Sequence, residues 1–371
     1  MATSYFIGLM SGTSLDGVDA ALVAFSGPRI RVIDSHTQPF PDALVCELSR
    51  LCQAEQLRPE EIAAAESRLD REYAQAVKEL TRHHGLKPGD IQAIGSHGQT
   101  IRHLPAQGFS WQLGCPSRLA ALTGIPVVAG FRQMDLALGG QGAPLAPFFH
   151  AAFFSDPGCH RVVINLGGIA NISDLPPQGR PLRGWDTGPA NCLMDAWYRQ
   201  QHLKADDSAW DENGQWARSG QLDEDLLDAL LSDPYFSRQA PKSTGPEHFN
   251  LAWLNRYLSR LDRQLPAEDV QRTLAELTIR TVAQAVKETS AEEYFITGGG
   301  RANTFLMEGF AQALAPLHER TAEIAGIPAD QVESAGFAWL ARERMNGSPL
   351  DLPEITGAER KATLGGIWLP A

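Results

Sequence analysis

Basic charge is scarce in this chain: 32 Lys and Arg stand against 44 Asp and Glu, a formal net charge of -12. A nucleic acid or an anionic membrane surface calls for clustered cations, so neither is an expected partner. Cysteine is scarce as well. Cys46, Cys52, Cys115, Cys159 and Cys192 are odd in number, scattered, and form no C-x-x-C pair. That argues against a disulfide framework or a structural zinc site and for a reducing compartment. No run of about 18 apolar residues exists, and the N-terminus lacks a basic segment before its apolar run. The expectation is a cytoplasmic protein without an export signal. Several signatures are missing too. There is no G-x-x-x-x-G-K-[ST] or G-x-G-x-x-G loop, no H-E-x-x-H or His/Cys cluster for a transition metal, and no G-x-S-x-G elbow.

What remains is an ordinary globular composition, 43% hydrophobic and 20% charged, in a chain of 371 residues that suits two domains. Apolar runs at Tyr5 to Met10, Val18 to Phe25 and Arg29 to Ser35 read as an antiparallel meander opened by a glycine-rich turn. Helical patterns follow at 42–54 and 59–84, the second opening on Pro59-Glu60-Glu61 as a helix start should. A buried-type strand at Ile91 to Ile94 ends in a polar cluster, and 130–147 reads as a loop. His160 to Leu166, Gly167-Gly168 and Ile169 to Leu175 repeat the strand–glycine turn–strand element of the opening. The stretch 200–265 reads as irregular or helical decoration. Glu268 to Glu288 is an amphipathic helix with Val270, Leu274, Leu277, Thr281, Val282 and Ala285 on one face. Such blocks, presented twice, indicate an α/β protein of two related lobes with a ligand cleft between them.

Candidate chemistry lies in the turns. Ser11-Gly12-Thr13-Ser14-Leu15-Asp16-Gly17 offers glycine amides and hydroxyls for phosphate oxygens, and Asp16 could hold a hydrated Mg2+. On its own the same turn reads equally well as a plain hairpin connection. Asn165-Leu166-Gly167-Gly168-Ile169-Ala170-Asn171 closes the equivalent turn of the second half, and the two could clamp one polyphosphate. Gly298-Gly299-Gly300 follows a strand and opens a helix, which permits close approach of an anionic ligand or serves a βα loop needing positive φ. Asp186, in a turn before the pattern Cys192–Gln200, is a general base or a helix-entry residue. His97, Gln99, Thr100, Arg132 and Asp135, in polar loops at strand ends, carry the directional donors and acceptors a sugar requires. Glu333 is a sugar contact or an exposed acidic helix start.

Taken together, these motifs resemble the anhydro-N-acetylmuramic acid kinase family. The resemblance rests on Ile7 to Asp19, Gly95 to Thr100, Asn165 to Asn171, Asp186 to Asn191 and Thr297 to Gly300, in order along nearly the whole chain. It implies a two-lobed actin/hexokinase-like, ribonuclease H-like fold with a mixed sheet in each lobe. The expected lobes are 1–132, with about 352–371 packing back on it, and 133–351. It implies an enzyme of cell-wall (peptidoglycan) recycling that opens 1,6-anhydro-N-acetylmuramic acid with water and phosphorylates O6 from ATP with Mg2+. The products would be N-acetylmuramic acid 6-phosphate and ADP. Asp186 matches the catalytic aspartate of that family. Gly12, Thr13, Ser14, Leu15, Asp16, Gly17, Val18, Asp19, Gly167, Gly168, Asn171, Gly298, Gly299 and Gly300 would bind ATP. Either Asp16 or Asp19 would hold the metal, and the family suggests a homodimer.

Overall fold

The computed structural model describes residues 3–12, 15–27, 29–54, 56–177, 179–202 and 210–371. The chain divides into one unit of Met1–Phe149 with Glu323–Ala371 and another of His150–Ala322.

The first unit is built on strands β1 (Ser4–Met10), β2 (Gly17–Ser26), β3 (Arg29–Pro39), β4 (Ile91–Ser96) and β7 (Val127–Ala129), with the late strand β13 (Gly366–Trp368) at one edge. β1, β2 and β3 form the expected antiparallel meander. β1 and β4 run parallel, as do β4 and β7, whereas β13 is antiparallel to β7. A separate hairpin joins β5 (Gln99–Leu104) to β6 (Phe109–Leu113). Helix Pro59–His83 covers part of this sheet, burying Ala65, Leu69, Tyr73, Ala76 and Leu80. The three-and-four spacing of those residues is the apolar stripe of a surface helix.

Helix Val332–Asn346 is different: Ser334 through Ala341 are all buried, so it lies inside the first unit. It rests on β1, β2 and β4 with its backbone almost touching the strands. A Cβ on Gly8 would fall 1.8 Å from Ser334 O, and one on Gly95 would fall 2.0 Å from Phe337 O. Glycine is required at both positions because no side chain fits that gap.

The second unit carries β8 (Arg161–Leu166), β9 (Ile169–Leu175), β10 (Arg183–Pro189), β11 (Glu293–Thr297) and β12 (His318–Arg320). β8, β9 and β10 are an antiparallel meander, β8 is parallel to β11, and β11 to β12. The order β10-β9-β8-β11-β12 repeats the order β3-β2-β1-β4-β7 of the first unit. That duplicated ribonuclease H-like arrangement, a mixed sheet in each unit, is the actin/hexokinase-like α/β fold expected from the sequence. Helix Ala267–Lys287 buries Val270, Leu274, Leu277, Thr281, Val282 and Ala285, the face read from periodicity.

Two local expectations are corrected. Residues 130–147 are not one loop, because helix Gln133–Ala137 interrupts the segment and helix Ala146–Phe154 begins within it. The intervening chain is tied down by Asp135, whose carboxylate accepts from Gly142 N–H and the Thr356 hydroxyl, a tertiary tie that local patterning does not encode. Asp186 lies within strand β10, not in a turn, since the ladder to β9 overrides the turn propensity of Asp-Thr-Gly-Pro. Among the described residues no helix is long and apolar enough to cross a membrane.

Candidate active site

In the first unit, the turn after β1 is held by side chains from elsewhere in that unit. Ser11 is buried, with Oγ 2.5 Å from the Tyr73 hydroxyl, and Gln99 Nε2 donates to Gly12 O at 3.1 Å. Among the described residues Gln99 Oε1 is buried without a hydrogen-bond partner. Thr13 and Ser14 lie outside the described residues. Leu15 takes φ 61, a left-handed conformation unfavourable for leucine, while its side chain joins the core. Gly17 and Val18 are buried as β2 begins.

Two carboxylates follow in quick succession. Asp16 is exposed, and its carbonyl accepts from Phe40 N–H at 3.0 Å. Asp19 accepts from Thr37 Oγ1 at 2.6 Å. Burial pushes the Asp19 pKa up, the Thr37 bond opposes this, and the charges of Asp16 and Asp330 add to the rise. Burial is the main cause of the rise, and carboxylate oxygens of this kind suit a hard divalent cation.

His97 and Arg132, distant in sequence, are brought together. His97 Nε2 lies 2.8 Å from Arg132 Nη2, and Arg132 Nη1 donates to Gly142 O at 2.6 Å. Burial, then the Arg132 charge, holds the His97 pKa well below its ordinary value, so the ring is neutral and Nε2 accepts. Thr100 Oγ1 accepts from Gln112 Nε2 at 3.2 Å. Asp135 is fully buried and engaged with Gly142 and Thr356, so it supports the chain that Arg132 also grips. Glu333 stands in the first turn of helix Val332–Asn346. A cavity of about 470 Å³ in this unit is lined by Ser96, His97, Gln112, Gln133 and Trp368 among others.

In the second unit a polar row crosses the sheet. Asp186 on β10 is opposite Asn171 on β9, Asn171 opposite Asn165 on β8, and Asn165 beside Thr297 on β11. Thr297 Oγ1 reaches Asn165 Oδ1 at 3.4 Å. Asn171 Oδ1 is buried and has no hydrogen-bond partner among the described residues. The three glycines after β11 differ in their freedom. Gly298 has φ +83, and its Cβ would meet Asn165 Oδ1 at 2.5 Å; a Cβ on Gly300 would meet Leu166 Cβ at 2.7 Å; around Gly299 nothing lies within 4 Å. The turn after β8 is equally committed: Gly167 O accepts from Asn191 N–H at 3.1 Å, and Gly168 O from Ala190 and Cys192 N–H at 3.0 and 3.1 Å. Those carbonyls satisfy donors at the start of helix Asn191–Gln201.

Asp186 itself is 8% exposed and gripped from one segment. Its Oδ2 accepts from Thr244 N–H at 2.9 Å, its N–H donates to Lys242 O at 3.1 Å, and its carbonyl accepts from the Tyr235 hydroxyl at 2.7 Å. β10 shifts register between Asp186 and Gly188, and Thr187 Oγ1 donates to Ala170 O across the irregularity. Lys242 Nζ lies 4.8 Å from the Tyr235 ring centroid, and burial lowers its pKa. Sequence reasoning missed Tyr235, Lys242 and Thr244. The one signal available was the run Pro241-Lys242-Ser243-Thr244-Gly245, a cation and two hydroxyls closed by glycine inside supposed decoration.

Comparison with known proteins agrees over the full length. The family model described as anhydro-N-acetylmuramic acid kinase matches residues 4–370. A curated relative from Shewanella sp. (strain W3-18-1), named anhydro-N-acetylmuramic acid kinase, is 46% identical over 369 residues, covering 99% of each chain. Another of the same name, from Shewanella loihica, is 44% identical over 371 residues, again covering 99% of each. A solved structure, the activator of the 2-hydroxyisocaproyl-CoA dehydratase from Clostridium difficile with bound ADPNP, is 12% identical with a TM-score of 0.45. It covers 93% of this chain and 96% of that one.

Proposed function

The chain belongs to the anhydro-N-acetylmuramic acid kinase family, and on that premise we propose that it opens 1,6-anhydro-N-acetylmuramic acid with water and phosphorylates O6 from ATP. The observation that carries the chemical assignment is the fixed carboxylate of Asp186, held through Oδ2 by Thr244 N–H and set at the end of a polar row. Asp186 takes a proton from water as the water oxygen bonds to the anomeric carbon. The bond from that carbon to O6 breaks with its electron pair on O6, and O6 attacks the γ-phosphorus while ADP leaves. The leaving oxygen is itself the phosphoryl acceptor, so the second step needs no separate base. Positioning and charge stabilisation supply most of the phosphoryl transfer.

The phosphates are assigned to the backbone of Gly12 to Asp19 and to Gly167, Gly168, Asn171 and Gly298 to Gly300. Asp16, with Asp19 beside it, would hold Mg2+ through water, and that ion supplies neutralisation of the phosphoryl oxygens. His97, Gln99, Thr100, Arg132, Asp135 and Glu333 are assigned to the sugar side, His97 and Arg132 as the direct contacts and Asp135 through the chain it anchors. The enzyme would work in the cytoplasm, where ATP is available, as a homodimer in cell-wall recycling. Coupled detection of ADP tests the reading: release should require Mg2+ and the 1,6-anhydro sugar together. Equal release with ordinary hexoses, or release independent of any sugar, would overturn it.

A further inference from the structure

The segment that grips Asp186 holds one group the scheme above does not use. Thr244 donates its backbone N–H to Asp186 Oδ2 at 2.9 Å, yet its Oγ1 is buried and has no hydrogen-bond partner among the described residues. A buried hydroxyl is normally paired with protein or with an ordered water. Oγ1 is three bonds from the nitrogen that touches Asp186. The hydroxyl thus belongs to the residue that fixes the carboxylate, and two polar groups that do not bond directly can share one water molecule.

We propose that Thr244 is a water-positioning residue of the hydrolytic step. The attacking water gives one hydrogen to the Asp186 carboxylate and points the other at Thr244 Oγ1. With both hydrogens directed, a lone pair of the water oxygen is left for the anomeric carbon. The threonine thereby has two separate tasks. Its amide fixes the base, and its hydroxyl orients what the base activates. The proposal rests on Asp186 being the base, and it assigns a role to a residue 58 positions away in sequence.

Three variants decide it. Thr244→Val keeps the amide and the side-chain shape but loses the hydroxyl, Thr244→Ser keeps both polar groups, and Asp186→Asn removes the base. Steady-state kinetics should show kcat about 100-fold lower in Thr244→Val with KM for both substrates within about 2-fold, and Thr244→Ser within about 3-fold of wild type. If Thr244→Val does not fold, as judged by thermal melting, Thr244→Ala is read in its place. Near-wild-type kcat without the hydroxyl, alongside an inactive Asp186→Asn, overturns the proposal and leaves the base intact. So does a serine variant as slow as the valine one, because the threonine would then be acting through its shape. Full turnover by Asp186→Asn overturns the reading of the base itself.

Discussion

The two meanders share one strand order, but the glycine-containing turns that open them are built in opposite ways. After β1 the chain runs from Met10 to its partner Asp19 before pairing resumes, whereas after β8 it returns from Leu166 to Ala170 across Gly167 and Gly168. The longer turn is held from outside by side chains, Gln99 on Gly12 and Tyr73 on Ser11, and it carries the carboxylates Asp16 and Asp19. The shorter turn is held through its own carbonyls by the start of a helix, and it is flanked by neutral Asn165 and Asn171. A duplicated topology thus leaves each copy free to specialise. On the proposed assignment the first turn would serve a metal-bound polyphosphate, while the second is a rigid edge beside the polar row that ends in Asp186.

The largest effect should come from the one carboxylate of that row. Asp186→Asn should lower kcat by about 1,000-fold or more while the thermal unfolding curve stays in place. Next, the rigidity of the second edge can be broken selectively. Gly298→Ala combines positive φ with a Cβ 2.5 Å from Asn165 Oδ1, whereas a Cβ on Gly299 meets nothing within 4 Å. Urea titration should show Gly298→Ala less stable by about 2–3 kcal/mol and Gly299→Ala by under about 1 kcal/mol.

Smaller changes probe how each turn is held. Removing Gln99 takes away the side-chain tie to Gly12. Gln99→Ala should raise the KM for ATP about 10-fold, near the worth of one good hydrogen bond, and raise the KM for the sugar as well, since Gln99 is also assigned to the sugar side. Asn191 ties the second turn through its side chain to Leu166 O, but backbone bonds from residues 190–192 remain when that side chain is cut back. Asn191→Ala should therefore shift the KM for ATP by no more than about 3-fold. Equal effects would remove the distinction between the two turns.

Acid acts on buried histidines in both units. His97 and His103 in the first unit and His150 in the second are kept neutral by burial, His103 down to about 4 and His150 to about 3 from 6.5, with the Arg132 charge adding to the effect on His97 and His103. The unfolded chain binds protons at these rings near pH 6.5 while the folded chain does not. Their contribution is therefore complete above that pH and falls as pH drops. Each such histidine costs about 1.4 kcal/mol per pH unit until its folded pKa is reached. Urea titration should therefore show His103→Gln losing less stability than the wild type as pH falls from 6.5 to 4.

Much of this architecture was legible in the sequence. Short apolar runs located β1, β2, β8, β9 and β11, and periodicity located the buried face of helix Ala267–Lys287. Glycines marked the turns, though not why Gly8 and Gly95 are needed, because that depends on a helix more than 200 residues away settling on β1 and β4. Asp186 was found by its motif, but its strand conformation was not, since the ladder to Asn171 is a tertiary fact. Tyr235 and Thr244 were out of reach for the same reason. Their tie to Asp186 arises where a loop crosses a strand; Tyr235 stands in no local pattern that signals it, and Thr244 only in the short run Pro241 to Gly245.

The central claim is that water adds to the sugar while O6 takes the phosphoryl group, with Asp186 activating that water. The direct measurement is mass spectrometry of product made from ATP and 1,6-anhydro-N-acetylmuramic acid in heavy-oxygen water, quenched before the free sugar exchanges its anomeric oxygen. One heavy oxygen at the anomeric carbon of a 6-phosphorylated sugar, formed by the wild type and not by Asp186→Asn, is the predicted result. A phosphorylated product with no label at that carbon, or with the label in the phosphate, would contradict it.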